Sequence, residues 1–256
     1  MTAIDVMRED AYATVTISNP ERKNAISAEA CQTMAAELRE LAVDDAIRCV
    51  VVAGAGEDFC SGIDLAEGIG GASVSQELET GLNAIATALM RMEKPTVASV
   101  TGACVGAGAS IATACDFVYA EEGAQFGWGF TDIGLAPDTG ATYVLPRLVG
   151  VRRALDLLMT GRRIDAERAV DLGIATEAIP AEVFTETVAE RVAMLTARPT
   201  LALGETKRLV QRNSHRSLEQ ALRAEARAQE RMILTDDFSE GVQAFFQGRD
   251  PEFQGQ

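Results

Sequence analysis

The sequence predicts an α/β core carrying a helical region at its C-terminal end. Two observations lead there. Strand–loop–helix units run to about residue 180, and twice an apolar strand breaks into a glycine-rich loop that opens a helix. From Ala181 to about Phe246 the periodicity is helical, with a break at Arg198-Pro199. No stretch is low in complexity or linker-like, so the two parts, 1–198 and 199–256, are expected to pack closely.

Ala13, Val15 and Ile17 alternate with Thr14, Thr16 and Ser18, the period of a half-buried strand that Asn19-Pro20 ends. Ser27 suits the N-cap of a helix in which Cys31, Met34, Ala35, Leu38, Leu41 and Ala42 share one face. Residues 48–53 form a buried strand and break into a turn-rich loop, 54–62. Residues 76–92 are helical by the spacing of Leu78, Leu82, Ile85, Leu89 and Met92. After Lys94-Pro95 the pattern recurs as a strand over 96–100, a glycine loop over 102–108 and an Ala-rich helix. Strands are expected at 116–120, at Gln125-Phe126 and at 174–179. Residues 140–160 are helical, and Pro146 suggests two helices meeting at an angle. Asp165 caps a short helix that stops at Gly173.

Composition narrows the function. The 256 residues are 47% hydrophobic and 24% charged, with 23 Lys+Arg against 38 Asp+Glu, a net charge of −15. Such an acidic chain is a poor partner for nucleic acid, although a local basic patch or backbone N–H groups can still hold a phosphorylated ligand. Five scattered cysteines without a CxxC argue for a reduced compartment rather than a disulfide framework. His215 is the one histidine, so neither a Cys/His metal site nor a Ser-His or Cys-His pair can draw on another. The N-terminal stretch has no basic and apolar regions of a secretory signal, and no apolar run is long enough to span a membrane. The expectation is a cytoplasmic protein without metal.

Gly106-Ala-Gly108, between a strand and a helix, offers free N–H groups to an anion or to negative charge developing on oxygen. A dinucleotide fingerprint fits poorly, because its third position is Ile111 in this loop and Phe59 in the earlier one. The bland alternative is that the glycines serve tight turns and close packing.

Five motifs then occur in order: Glu21-Arg-Lys-Asn-Ala25, Asp58-Phe-Cys-Ser-Gly-Ile-Asp-Leu65, Lys94-Pro95 with Gly102-Ala-Cys-Val-Gly-Ala-Gly108, Cys115-Asp-Phe-Val-Tyr-Ala120 and Ile133-Gly-Leu-Ala-Pro137. With the ending Glu240-Gly-Val-Gln-Ala-Phe-Phe246 and Arg249-Asp-Pro-Glu-Phe253, the chain resembles the crotonase (enoyl-CoA hydratase/isomerase) superfamily over nearly its whole length. The resemblance implies a crotonase-like spiral of ββα units, here 1–198, with a C-terminal helical trimerisation region, and a homotrimer or dimer of trimers. It implies an acyl-CoA thioester as substrate, no separate cofactor, and a place in fatty acid metabolism. The oxyanion donors would be the N–H groups of Ile63 and Gly108. Arg22 to Ala25 would line the CoA nucleotide, with Lys23 a candidate phosphate contact and a solvated loop lysine as its bland reading. Ser61, Gly62, Asp64 and Leu65 would line the pantetheine end.

Hydratases of this family use two glutamates, whose places fall here on Ser110 and Phe130. Without that pair, hydration has no visible chemical basis. Asp138 remains, and Phe130-Thr-Asp-Ile-Gly-Leu-Ala-Pro-Asp138 resembles the single-acid isomerases of the peroxisomal Δ3,Δ2 and phenylacetate-pathway types. A double-bond shift needs one base, and an apolar pocket with Trp128 and Phe130 is expected to raise its pKa. The bland reading of Asp138 is a helix N-cap, second to its catalytic one and compatible with it, and Asp116 and Asp132 read as structural. The alternatives are hydratase-like or hydrolase activity, or a non-catalytic acyl-CoA-binding protein.

Overall fold

The computed structural model describes residues 1–66 and 73–256. Its frame is a six-stranded sheet in the order β1 (Ala3–Glu9), β2 (Tyr12–Ser18), β3 (Cys49–Gly54), β4 (Thr96–Val100), β6 (Phe117–Glu121), β9 (Glu177–Ile179). All neighbours are parallel except the hairpin β1–β2. A second sheet joins β5 (Ala103–Val105), β7 (Gln125–Gly127) and β8 (Ile164–Asp165). The chain alternates between them: β4 to β5, then helix α4 (Ala107–Ala114), then β6 to β7, then α5 (Ala141–Val149) and α6 (Val151–Thr160). β8, α7 (Ala166–Asp171) and β9 complete the course, which is the ββα spiral the sequence implied.

Both faces of the large sheet are covered, which is why β3 is apolar at every position rather than at alternate ones. Val50 and Val52 face the main core with α1 (Ala28–Val43), while Cys49 and Val51 face Phe184, Val188, Val192 and Leu195 of α8 (Phe184–Thr196). Ser27 caps α1 by accepting from the Ala30 N–H at 3.1 Å, as the sequence suggested. At the other end of α1, the buried Lys94 ammonium donates to the carbonyls of Leu41 (2.8 Å) and Asp44 (2.6 Å), so it closes the helix.

Four sequence expectations need correction. β1 has no counterpart among them, because Ile4 and Val6 are half-buried at an edge and give a weak period-2 signal. The 76–92 helix is two, α2 (Val74–Thr80) and α3 (Leu82–Arg91), broken at Gly81, where a Cβ would stand 3.0 Å from that of Cys31. The break in 140–160 falls at Gly150 (φ 79°), not at Pro146, which lies inside α5. The 174–179 strand is confined to β9, since Leu172 to Ala175 are spent turning out of α7.

Helices α9 (Thr200–Asn213), α10 (Leu218–Met232) and α11 (Asp236–Gln247) follow. Lys207 of α9 reaches Asp116 at 2.8 Å and the Leu89 carbonyl at 2.6 Å, while Asp116 also accepts from the Thr96 N–H and hydroxyl, both at 2.9 Å. Asp116 is therefore structural, as read from the sequence. Arg48 donates to Thr200, Arg198 and Phe253, and so ties the helical region and the terminus to the core. Lys207→Ala would take the cation from the partly buried Asp116 carboxylate and leave it the two Thr96 hydrogen bonds. Its unfolding free energy should fall by about 1–3 kcal/mol, read as a lower urea midpoint at unchanged slope; an unshifted midpoint would remove this pair from the docking of α9.

Candidate active site

The site is built on two loops clamped edge to edge. Cys60 and Cys104 form a parallel bridge, with the Cys60 N–H donating to Ala103 O and the Val105 N–H to Cys60 O, each at 2.9 Å. Gly108 lies so close that a Cβ there would meet the Cys60 carbonyl oxygen at 2.3 Å. Gly62, at φ 100°, faces Val105 and Gly106 in the same way. The glycines thus serve close packing, and that packing also aligns the donors.

Each donor is free for a geometric reason. Ile26 donates to Gly62 O (2.8 Å) and accepts from the Asp64 N–H (2.9 Å), so in this parallel bridge both its polar groups bond the residues flanking Ile63. The Ile63 N–H is left on the opposite side of the strand, with no acceptor among the described residues. Gly106 is the N-cap of α4, which puts Gly108 in the first turn, where a helix supplies no carbonyl for its N–H. The first turn also adds its partial positive charge.

The Glu21–Ala25 turn docks on the same loop. The Ser61 N–H donates to Lys23 O at 2.9 Å, and its hydroxyl to Arg22 O at 3.1 Å. Asn24, which the sequence reading did not single out, is fully buried and left-handed (φ 56°), and its amide bonds the carbonyls of Ala55 and Asp58. The carbonyl of buried Ala25 accepts from the Thr2 hydroxyl at 2.6 Å. Lys23 stands at the surface with its ammonium 3.5 Å from the Asp58 carboxylate. Asp64 is buried and turned inward, accepting from Arg22 at 2.8 Å and from the Ala66 N–H at 3.0 Å, so its side chain orders the loop. Leu65 is exposed.

Asp138 arrives from the other side, on the segment leading into α5, and α5 packs against α4. The capping expectation fails: Gly140 is the N-cap of α5, and only the backbone carbonyl of Asp138 takes part, accepting from the Ala141 N–H at 2.9 Å. Its carboxylate takes one hydrogen bond, from the Thr139 hydroxyl at 2.6 Å. Burial raises the Asp138 pKa, against the opposing effect of that bond. Thr139 is itself buried and left-handed at φ 52°, a conformation β-branched residues avoid, so the strain sits beside the carboxylate. Burial first, then the neighbouring Cys60 and Asp138, push the Cys31 thiol up to about 12.

Ser110 is buried with its hydroxyl on Gly106 O at 3.2 Å, and Phe130 is buried, so neither hydratase position carries an acid. Trp128 is fully buried. The Asp132 carboxylate packs against Gly161, where a Cβ would meet it at 2.6 Å. Burial also pushes Cys49 and Cys60 up to about 12, which leaves these thiols protonated and poor nucleophiles at neutral pH. His215 lies in the exposed turn between α9 and α10, 3.1 Å from the Tyr143 hydroxyl. Among the described residues, no three His, Cys, Asp or Glu side chains gather as a metal site requires, and no helix is long and apolar enough to cross a membrane.

Comparison with known proteins agrees with this geometry. The enoyl-CoA hydratase/isomerase family model matches residues 7–256. The chain is 33% identical over 252 residues to the 1,2-epoxyphenylacetyl-CoA isomerase of Escherichia coli (strain K12), covering 96% of each protein. It is 33% identical over 256 residues to an enoyl-CoA hydratase of Alternaria alternata, covering 98% of this chain and 86% of that one. The crystal structure of an enoyl-CoA hydratase from Polaromonas sp. JS666 superposes with a TM-score of 0.91 at 34% identity, covering 98% of this chain and 99% of that one. With clamped donor loops, a ββα spiral and a family match spanning almost its full length, this chain belongs to the enoyl-CoA hydratase/isomerase family, the crotonase superfamily.

Proposed function

We propose that this protein is an enoyl-CoA isomerase that moves a double bond from C3 to C2 with Asp138 as its single acid/base. The observation that carries the reading is a half-buried carboxylate whose pKa burial raises and which takes one hydrogen bond among the described residues, in a family site whose two glutamate positions hold Ser110 and Phe130. The thioester carbonyl accepts from the Ile63 and Gly108 N–H groups. Asp138 removes a proton from C2, and the electron pair moves onto the carbonyl oxygen as a dienolate. The acid so formed returns the proton at C4, leaving the double bond at C2–C3. Each fixed donor at the developing oxyanion is worth about 3–4 kcal/mol of barrier.

CoA enters as part of the thioester, and no separate cofactor or metal is needed. Lys23, Ala25, Ser61, Gly62, Asp64 and Leu65 form the CoA side, Asp64 and Arg22 by shaping the loop. Trp128 and Phe130 belong to the acyl side. Residues 1–198 are the acyl-CoA-binding spiral, and 199–256 pack on a neighbouring chain in a trimer or dimer of trimers. The support for assembly is apolar surface: Leu218, Leu222, Leu234, Phe245 and Phe246 are all more than half exposed. Hydratase-like turnover is the second reading, because relatives bear both names.

Asp138→Asn keeps the size of the side chain but cannot accept a proton. Turnover of 3-enoyl-CoA should fall at least about 10²-fold with CoA-ester affinity kept, and near-wild-type turnover in the folded variant would remove Asp138 from the mechanism. The wild-type rate should be lost as pH falls through a value above the ordinary aspartate range, since the base must be ionised. Steady 2-enoyl-CoA hydration by the unmodified protein would favour the hydratase reading instead. Gly108→Ala places a methyl 2.3 Å from the Cys60 carbonyl and forces the loops apart, so turnover should drop about 10²-fold or more, while unchanged kinetics would dissociate the clamp from catalysis. Light scattering at micromolar concentration should give the mass of three or six chains; a monomer would leave the helical region without the proposed neighbour.

A further inference from the structure

Among the described residues, Trp128 Nε1 is the buried side-chain nitrogen or oxygen left with no hydrogen-bond partner. The side chain is fully buried within the main core. An unpaired buried N–H costs about 1–3 kcal/mol, and in a native fold such a group calls for a reason. Here the position offers one. β7 pairs with β5 so that Val105 stands opposite Gly127, and the Gly106 N–H donates to Gly127 O at 2.8 Å. The next residue, Trp128, is therefore level with the Gly106 turn that opens the donor helix α4. From there the chain runs through Phe130 to Asp138, with the Phe130 N–H returning to Trp128 O at 2.9 Å. Trp128 thus lies at the start of the segment that runs from β7 to Asp138, level with the turn that opens α4. Phe would have filled the same core volume without stranding a donor.

Resting on the acyl-CoA reading above, we infer that Trp128 is a specificity residue whose indole N–H donates to an oxygen carried by the acyl group beyond the thioester carbonyl: a hydroxyl, keto or epoxide oxygen. The indole donates and the substrate oxygen accepts; no covalent step is involved. A site that holds an unpaired donor discriminates against the analogue lacking the acceptor, because that analogue buries the N–H again without a partner.

The chain has a single tryptophan, so its fluorescence reports this side chain alone. Butyryl-CoA would be titrated against 2-, 3- and 4-hydroxybutyryl-CoA, with affinity read by calorimetry and emission recorded in parallel. At least one hydroxy ester should bind about tenfold more tightly than butyryl-CoA and shift the emission to the red, with butyryl-CoA causing no such shift. Trp128→Phe should bring the affinities of the pair together, read as the ratio of hydroxy ester to butyryl-CoA within the one protein. Equal affinities in the wild type, or a preference that survives in Trp128→Phe, would overturn the inference. So would emission already typical of a hydrogen-bonded indole in the free protein, which would mean the N–H is satisfied by water. If Trp128→Phe fails to fold, the wild-type affinities and emission decide alone. Binding of none of the four esters would overturn the acyl-CoA reading and this inference together, whereas equal binding of all four overturns the inference only.

Discussion

The contact on which the site depends is the approach of the Gly108 backbone to the Cys60 carbonyl. A helix start and a neighbouring loop can share that space only if neither brings a Cβ, and the Cys60–Cys104 bridge holds them there with two backbone hydrogen bonds. Everything catalytic in the proposed chemistry is registered to this clamp. Ile26 fixes the face on which the Ile63 N–H emerges, and Gly106 fixes where α4 begins. Because both donors are main chain, their position is a property of the fold and requires no reorganisation when charge develops on a bound oxygen.

The clamp is in turn supported from outside. Asp58 O accepts from Asn24, and the Asp58 carboxylate accepts from the Ala103 N–H at 2.7 Å, so one residue of the first loop holds both the turn before it and the strand leading to the second. Gly102 sits against Glu57 and Asp58 as closely as Gly108 against Cys60. Further off, Lys207 and Thr96 hold Asp116 at the start of β6, so a helix of the C-terminal region buttresses the strand next to the one that feeds the second loop. The spiral and the helical region are therefore coupled through a partly buried ion pair backed by hydrogen bonds to the Leu89 carbonyl and to Thr96.

Much of this was legible in the sequence, unevenly. Alternation placed β2, helical spacing placed α1, apolar runs breaking into glycine loops placed β3 and β4 with the Ala-rich α4 after the second, and the capping residues Ser27 and Asp165 were visible by type. β1 was not, because a short edge strand with two half-buried side chains differs little from a loop. The break at Gly150 was masked by Pro146, the residue type that most often marks a break, which here lies inside α5. Gly81 was hidden because Leu78 and Leu82 keep the helical spacing across it, while the steric reason for the glycine is Cys31, fifty residues earlier in the chain. The glycine loops announced an anion site, but which N–H groups stay free depends on tertiary pairing that no local pattern carries. The structural role of Asn24 within its motif was hidden for the same cause, since its buried amide bonds the carbonyls of Ala55 and Asp58 more than thirty residues on.

The electrostatics of Asp138 follow from what surrounds it. A carboxylate whose pKa is raised on folding binds its proton more tightly in the native than in the unfolded chain, so its ionisation weakens the fold as pH rises through the interval between the two values. The Thr139 hydroxyl opposes this, and it does so from a strained backbone, so part of the cost of a poised base is carried as conformational strain one residue away. The same burial that disfavours the charge strengthens the carboxylate as a proton acceptor, and the partial positive charge at the start of α4 favours the oxyanion that forms when the proton is taken. In the proposed reaction, negative charge would leave the side chain that holds it poorly and collect on an oxygen facing two fixed N–H donors. A second ionised carboxylate at position 110 or 130 would repel both the proposed base and that oxyanion. On this proposal, Ser110 and Phe130 would contribute to the chemistry by being neutral.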